Sequence, residues 1–184
     1  VANTYKAIES LQAKGAVLVE DDEPRLCRAV PVEELLRTLD RNFASRRASV
    51  ARALADVAPA DGDDRVYTLR TAGQVFERVR TMLAEARKIA LIDAFPRALD
   101  VIGAAAHEAV ARGITVAIKA YAPVEPHGRM TVFVEPDETI GKHWPGEWLN
   151  VVVDGAEYLL AFLSTDLATV HQAVWSGSPY LSWV

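Results

Sequence analysis

The sequence predicts an α/β protein with a mixed β-sheet covered by helices, preceded by a short helix, a hairpin and one long helix. Three observations predict this fold. From about residue 66 onward, apolar runs of strand length alternate with helical stretches, as in α/β proteins. Asp154-Gly155 separates two apolar runs, and an Asp-Gly pair is a strong signal for a hairpin turn. Between Pro31 and Pro59 there is no proline or glycine, so this segment predicts a long helix.

Residues 1–30 predict a short helix followed by a hairpin. Apolar residues recur at helical spacing over residues 3–14, and Gly15 follows the last turn as a helix-ending glycine does. Apolar runs at residues 16–20 and 26–30 flank an acidic turn that contains a proline. Two apolar runs around such a turn are typical of a β-hairpin.

Residues 31–60 predict a long helix that carries an apolar seam. Pro31 suits the first position of a helix. The apolar positions step by four and three residues and then by sevens, and they are Val32, Leu36, Leu39, Phe43, Val50 and Val57. This seam favours a coiled coil or helix pair, so we expect a homodimer. The residues expected at its interface are Leu36, Leu39, Phe43 and Val50. The alternative is that the stripe packs on its own domain, since Leu35 and Leu54 widen it and Arg46 interrupts it.

Residues 61–184 are expected to form the α/β body. The predicted strands cover residues 66–69, 89–95, 114–121, 129–135, 149–153 and 157–163. The predicted helices cover residues 71–87, 97–112 and 166–175. A loop rich in Pro, Gly and Trp is expected over residues 136–148, and a short tail over residues 180–184. A strand, a helix and a strand followed by hairpins indicate a mixed sheet with helices packed on it.

Charge and composition exclude several classes of protein. The chain has 184 residues, of which 51% are hydrophobic, and a formal net charge of −5, so it has no overall electrostatic footprint for nucleic acid. Residues 1–60 carry equal numbers of basic and acidic residues, so any DNA contact is expected there. The apolar runs are far shorter than the roughly 20 residues that span a bilayer, so no membrane segment is predicted. Cys27 is the only cysteine, which fits a reducing, cytoplasmic location.

The first residues are expected to be an interior cut or a processed end. The chain starts with Val1 and has neither an initiator methionine nor the charged and apolar regions of a signal peptide. We therefore expect a longer gene product.

The common sequence signatures of catalysis and metal binding are missing. The four histidines have no metal-ligand spacing, and Cys27 has no partner cysteine. There is no glycine-rich phosphate loop and no Gly-x-Ser-x-Gly motif. The sequence therefore predicts no metal, no cofactor and no enzymatic activity.

Two motifs resemble the TrmB family of transcriptional regulators. The run TYKAIESLQAKGAV, residues 4–17, resembles the recognition helix and first wing strand of a winged helix-turn-helix. The run PRLCRAVPVEELL, residues 24–36, is similar to the family's second wing strand and the start of its dimerisation helix. The chain from about residue 66 onward resembles the family's C-terminal regulatory domain, which has a phospholipase-D-like fold.

This resemblance implies a transcriptional regulator with three parts. They are part of a winged helix-turn-helix at residues 1–30, a dimerisation helix at residues 31–60, and a domain at residues 61–184 that senses a small effector, for which the family suggests a sugar. The family places further helices before the recognition helix. The sequence starts too late to include them, so we do not expect these residues alone to assemble a complete DNA-binding domain.

The resemblance also implies which residues of the longer protein would contact DNA. The amino-terminal end of a recognition helix faces the base edges, and basic residues beside it contact phosphates. The residues expected to do so are Asn3, Thr4, Tyr5, Lys6, Ser10, Lys14, Arg25 and Arg28. The alternative is that the helix over residues 3–14 is an amphipathic helix whose polar side faces solvent and does not contact DNA.

Polar and aromatic residues near the ends of the predicted strands and in the Trp-bearing loop are candidates for effector binding. Ligands of open α/β sheets bind at the carboxyl ends of strands, and tryptophans stack on sugars. The candidates are Asp93, Phe95, Lys119, Tyr121, His143, Trp144, Glu147 and Trp148. The alternative is that Asp93 caps the following helix and that the tryptophans fill the core.

Phospholipase-D-like enzymes carry the motif His-x-Lys-x4-Asp, and this chain departs from it. If Asp154 takes the aspartate position, Leu149 stands at the lysine and Glu147 at the histidine. A leucine does not neutralise a phosphate and a glutamate repels one, so we expect no phosphodiester chemistry. The alternatives left open are a hydrolase that uses altered residues and a dimerisation module without a ligand.

Overall fold

A computed structural model describes residues 2–20, 26–55, 64–135, 140 and 144–183 of the chain. The chain divides into two compact units, Val1–Pro59 and Ala60–Val184. Among the described residues, no helix is long and apolar enough to cross a membrane.

The first unit has the predicted order of helix, hairpin and long helix. Helix α1 spans Ala2–Ala13, strands β1 and β2 span Val17–Val19 and Cys27–Ala29, and helix α2 spans Val32–Leu54. The two strands are antiparallel, as expected for a hairpin. Gly15 has φ +70 and follows the end of α1, so the glycine adopts the left-handed conformation that ends many helices.

The described part of the second unit contains a seven-stranded sheet and two long helices. Its strands in chain order are β3 (Tyr67–Thr68), β4 (Ile89–Ala94), β5 (Thr115–Ala120), β6 (Met130–Val134), β7 (Glu147–Val153), β8 (Glu157–Leu163) and β9 (Val170–Ser176). Its helices are α3 (Ala72–Glu85) and α4 (Pro96–Ala111), and a 3-10 turn spans Leu181–Trp183. The strand order is β3-β9-β8-β7-β4-β5-β6. Strands β4, β5 and β6 are parallel and the other pairings are antiparallel, so the sheet is mixed.

The core of the second unit lies between the sheet and the two helices. Alternate residues of the central strands are buried, and they form one apolar cluster with the buried faces of α3 and α4. The largest fully buried side chains include Met82, Leu83, Ile102, Ile118 and Leu149. The intervening residues of each strand point to the opposite face of the sheet, which we call the outer face. It presents apolar side chains such as Leu91 and Phe133, which are 46% and 62% exposed.

The predicted Asp-Gly hairpin joins β7 to β8. Asp154 and Gly155 have φ of 55 and 62, and Ala156 N–H donates to the Val153 carbonyl at 2.9 Å. Two successive left-handed residues define the turn that best matches the twist of a two-residue hairpin.

Two parts of the predicted α/β body are wrong. The segment predicted as a helix over residues 166–175 forms a turn followed by strand β9, which pairs with β8 and β3. The Asp166 carboxylate accepts hydrogen bonds from the Ser164 hydroxyl and from Ala168 N–H, and this side-chain capture of the backbone favours a turn over a helix. The predicted loop over residues 136–148 ends earlier than expected, because Glu147 and Trp148 already belong to β7.

Candidate functional site

The parallel register of β4 and β5 brings four of the candidate effector residues together. Asp93 lies directly opposite Lys119, and both side chains point to the outer face. Phe95 and Tyr121 follow the two strands, and their rings meet edge to face with centroids 4.5 Å apart. Together with Glu135, which follows β6, these residues form what we call the strand-end cluster.

The ammonium of Lys119 connects the polar members of the strand-end cluster. Its Nζ lies 3.3 Å from Oε2 of Glu135 and 5.2 Å from the centroid of the Tyr121 ring. Hydrogen bonds to Tyr121 and Glu135 raise the pKa of Lys119, so the side chain stays charged. The cluster therefore presents a fixed cation between two carboxylates.

Asp93 is the least satisfied member of the cluster. Burial raises the pKa of its carboxyl, although a hydrogen bond with Tyr121 and the charge of Lys119 oppose this rise. Its Oδ1 is shielded from solvent and has no hydrogen-bond partner in the part of the chain that the structure describes. A buried acceptor without a donor is costly, so Asp93 is a favourable point of attachment for a ligand that carries a donor.

Glu147 lies apart from the strand-end cluster. It is 6% exposed, points to the helix-covered face, and accepts a hydrogen bond from Ala98 N–H at 3.3 Å, so it caps the first turn of α4. Burial raises the pKa of this carboxyl. The alternative considered for Asp93 was that it caps the following helix, but the residue that caps α4 is Glu147. Because Glu147 is buried on the helix-covered face, the prediction that it contacts an effector on the outer face is wrong.

The two predicted tryptophans belong to an aromatic group on the same sheet. Trp144 contacts Trp148 and Phe162, with ring centroids 5.9 and 5.6 Å apart, and Phe162 contacts His171 at 5.0 Å. When the Asn150 amide is oriented with its oxygen toward the indole, which satisfies both of its polar atoms, the Trp148 N–H donates to this oxygen at 2.6 Å. Asn150 is the register partner of Asp93, so the aromatic group and the strand-end cluster share the outer face. His143, the remaining candidate, lies outside the described residues.

Two depressions adjoin the strand-end cluster. The smaller, of about 260 Å³, lies on the outer face, where its lining includes Asp93, Lys119 and Phe133. The larger, of about 430 Å³, lies between α4 and the segment that follows β5, and its lining includes Tyr121. The second volume is in the range of typical ligand pockets, about 300–1,000 Å³.

Sequence reasoning missed Glu135, Asn150, Phe162 and His171 as neighbours of the predicted residues. Glu135 was detectable, because it ends a predicted strand in the same way that Asp93 and Lys119 do. The position of Phe162 opposite Trp148 follows from the β7–β8 hairpin, which the Asp-Gly turn signals. The positions of Asn150 and His171 depend on the pairing of β7 with β4 and of β9 with β8, for which the sequence carries no direct signal.

The candidate DNA-contacting residues of the first unit lie at the surface where the structure describes them. The exposed candidates are Asn3, Thr4, Tyr5, Lys6, Ser10, Lys14 and Arg28. Arg25 lies outside the described residues. The structure also leaves the apolar side of α1 open, since Tyr5 and Leu11 are 54% and 43% exposed.

The positions of the altered phospholipase-D-like motif serve the framework of the second unit. Leu149 is completely buried, and Glu147 caps α4. The Asp154 carboxylate accepts hydrogen bonds from three backbone N–H groups, those of Arg87, Lys88 and Ile89, at 2.7–2.9 Å. Among the described residues there is also no group of three or more His, Cys, Asp or Glu side chains that could hold a metal ion.

Comparison with solved structures gives two neighbours of low sequence identity. The chain is similar to NucT from Helicobacter pylori, with 11% identity and a TM-score of 0.50, over 65% of this chain and 89% of NucT. It is also similar to TrmBL2, an archaeal chromatin protein whose structure is described as showing a novel mode of DNA binding, with 15% identity and a TM-score of 0.49, over 99% of this chain and 76% of TrmBL2. No protein-family model and no curated protein matches the chain.

The likeness to NucT concerns the fold alone at this level of identity. It agrees with the mixed sheet and helices described above, and the α/β fold class predicted from the sequence is confirmed.

Proposed function

We propose that this chain is the dimerising and effector-sensing part of a TrmB-like transcriptional regulator. In this proposal α2 forms a homodimer, the second unit binds a small effector, and binding changes the mutual placement of two DNA-reading segments. The sequence resemblance supplies the family, and the features of the two units described above support the roles.

The observation that carries the proposal is the exposure of α2. The helix has 23 residues and none of them is buried. Its seam positions Leu36, Leu39, Phe43 and Val50 are 47–69% exposed. An isolated helix gains little stability from its backbone alone, and its apolar stripe needs a partner.

A second copy of α2 is the partner that best fits this seam. The spacing of four and three residues returns to the same side of a helix every seven residues, which is the pattern of a two-stranded coiled coil. Fully burying one such apolar side chain contributes about 1.5–3 kcal/mol, so several of them outweigh the cost of association. A parallel pair would hold both copies of α1 at one end, where they could face a single DNA duplex.

The exposed polar side of α1 supports the DNA-reading role. Asn3, Lys6 and Ser10 are solvent-exposed on one short helix, and Arg28 is exposed on the neighbouring hairpin. Such residues supply base-edge and phosphate contacts in winged helix-turn-helix proteins. In the proposal, DNA binding belongs to the longer protein.

The strand-end cluster supports the sensing role. It lies at the carboxyl ends of two neighbouring parallel strands, which is where ligands of open α/β sheets bind. The unsatisfied Asp93 and the adjoining depressions give an effector both a polar anchor and a volume. The sugar implied by the family is one candidate class of effector.

A phospholipase-D-like hydrolase is the second candidate, and the site argues against it. The residues at the nucleophile and lysine positions, Glu147 and Leu149, are buried on the helix-covered face. Turnover of a phosphodiester by the pure protein that disappears in Asp154→Ala would establish the hydrolase instead.

Disulfide crosslinking tests the proposed dimer. Cys27 is exposed and is the only cysteine, so Cys27→Ser gives a cysteine-free background. In that background Val50→Cys should form a covalent dimer under mild oxidation, because the same seam position of two parallel helices meets across the two-fold axis. Ala48→Cys, on the opposite side of α2, is the matched control and should stay monomeric on a non-reducing gel. Equal crosslinking of the two variants would contradict the proposed interface.

A further inference from the structure

The groove of about 430 Å³ beside α4 has the position and shape of a ligand site. Its walls are the amino-terminal half of α4, including Leu99 and Asp100, and the segment that follows β5, including Tyr121 and Val124. Strands β4 and β5 are parallel neighbours, so the groove lies outside their carboxyl ends.

Gly103 lines this groove without a side chain that would fill it. It lies inside helix α4, where glycine costs about 1 kcal/mol relative to alanine. A Cβ at this position would meet no atom within 4 Å, so packing does not require the glycine. The missing side chain instead leaves open the space that Gly103 lines together with Ala104.

The chemistry of the lining defines what the groove can hold. Its floor is apolar, with Leu99, Ile118 and Met130. Asp100 is its one carboxylate among the described residues, His107 is a further polar side chain in its wall, and no lysine or arginine lines it. An anionic ligand would face the Asp100 carboxylate and no lysine or arginine. A sugar would place most of its hydroxyls against the apolar floor without partners, which is unfavourable.

From this complementarity we propose that the groove binds a small molecule with an aliphatic or aromatic body and one amino group. The ammonium lies at Asp100, and the apolar body packs on Leu99, Val124 and the ring of Tyr121. This inference rests on the proposed sensing role of the second unit and replaces the sugar suggested by the family resemblance.

Tyr121 links the groove to the strand-end cluster. Its ring lines the groove, touches Phe95 and lies 5.2 Å from Nζ of Lys119. A ligand that displaces the Tyr121 ring would therefore disturb the charged network on the outer face. This gives the second unit a route from ligand binding to a change at its surface.

The test is a titration of the full chain, followed by backbone amide NMR, with three probes. Phenethylamine carries the proposed ammonium, hydrocinnamate has a similar body with a carboxylate, and maltose represents the sugars. Phenethylamine should shift the amide signals of Leu99, Gly103 and Val124 saturably. Hydrocinnamate should bind at least roughly tenfold more weakly, since one charge reversal replaces attraction by repulsion. Equal binding of the two aromatic probes, or saturable binding of maltose alone at these residues, would overturn the proposal.

Variants at three positions locate the probe. Gly103→Leu should fill the groove and weaken phenethylamine binding by roughly tenfold or more, whereas Gly103→Ala should bind within about twofold of the wild type and melt at a higher temperature. Ala104→Leu is a second filling variant if Gly103→Leu does not fold. Asp100→Asn should weaken binding by roughly two- to fivefold, as expected for an exposed ion pair. Unchanged binding in the folded filling variant would show that the amine binds elsewhere.

The outcomes separate this inference from the proposed function. If no probe binds while Val50→Cys still crosslinks, the amine site fails and the dimeric regulator stands. If phenethylamine binds in the groove while the seam does not crosslink, the site stands and the dimeric regulator fails.

Discussion

Asp154 is the residue that ties the β7–β8 hairpin to the start of strand β4. Its carboxylate accepts three backbone hydrogen bonds, and its own backbone has the left-handed conformation of the turn. Burial acts to raise the pKa of this carboxyl, but the three N–H donors and Lys88 outweigh burial and lower it. The aspartate therefore stabilises the fold in its ionised form.

Asp154→Asn should lower the free energy of unfolding by about 1–3 kcal/mol at neutral pH. The asparagine NH₂ group replaces one carboxylate oxygen, so at least one backbone N–H that donated to this oxygen loses its acceptor. Asparagine tolerates the left-handed turn, so the backbone should be retained. A lowered folded pKa means that the stabilisation is present above the ordinary value of 3.8 and is lost as the pH falls through the folded pKa. Urea denaturation should accordingly show a smaller loss of stability on acidification in the variant than in the wild type. If the variant and the wild type lose the same amount of stability on acidification, the ionisation of Asp154 does not contribute to stability.

At the same scale, the sequence located the strand-end residues but not all of their roles. Asp93 and Lys119 converge because the ends of parallel strands are predictable once the strands are recognised. Glu147 was placed in a loop, and its capping of α4 depends on the pairing of β7 with β4, which the sequence does not encode locally.

At the scale of elements, strand β9 shows where local patterns are insufficient. The sequence predicts a helix here, but the strand conformation of β9 depends on pairing with β3, a segment distant in sequence, and with β8, the preceding strand. Trp175 of β9 stabilises the end of the sheet formed by β3 and β9 through three side-chain contacts. Its indole N–H donates to Glu157 at 2.9 Å, its ring stacks on Tyr67 at 5.5 Å, and the Arg78 guanidinium lies 4.1 Å above it.

Trp175→Ala should therefore loosen β3 and β9 and cost about 2 kcal/mol, less than the 3–5 kcal/mol typical of a fully buried tryptophan. Trp175→Phe is the matched control, because it keeps a smaller ring for Tyr67 and Arg78 and loses the hydrogen bond to Glu157 together with part of the ring area. Chemical denaturation should rank the wild type, Trp175→Phe and Trp175→Ala in order of decreasing stability. An alanine variant as stable as the wild type would contradict the stacking described here.

The long helix α2 is an element that the sequence predicted well. Its start beside Pro31 follows from local rules and agrees with the observed start at Val32, whereas the helix ends at Leu54, earlier than the predicted end before Pro59. Whether its apolar seam pairs with a second helix or packs on its own domain did not follow from local rules, because the choice depends on tertiary contacts. The exposure of the described seam residues, which are Val32, Leu36, Leu39, Phe43 and Val50, favours a partner beyond the first unit, and Val57 lies outside the described residues.

At the scale of the whole molecule, the order of helices and strands was largely predictable, whereas the arrangement of the strands was not. The parallel set β4, β5 and β6 follows the chain, but β7 pairs with β4 and β9 lies between β8 and β3. In the resulting sheet, α3 and α4 pack on one face, whereas Asp93 and Lys119 of the strand-end cluster point to the other. The candidate site is thus a consequence of topology as much as of its residues.

The apolar seam of α2 should make this chain a homodimer, and sedimentation velocity measures this oligomeric state in solution. We predict that the wild type sediments with twice the mass of one chain at micromolar concentration. Phe43→Glu should sediment as a monomer, since an unpaired carboxylate in the seam costs several kcal/mol. Ala48→Glu, which introduces the same charge on the opposite side of the helix, should remain a dimer. A monomeric wild type, or a Phe43→Glu variant that stays dimeric, would contradict the account.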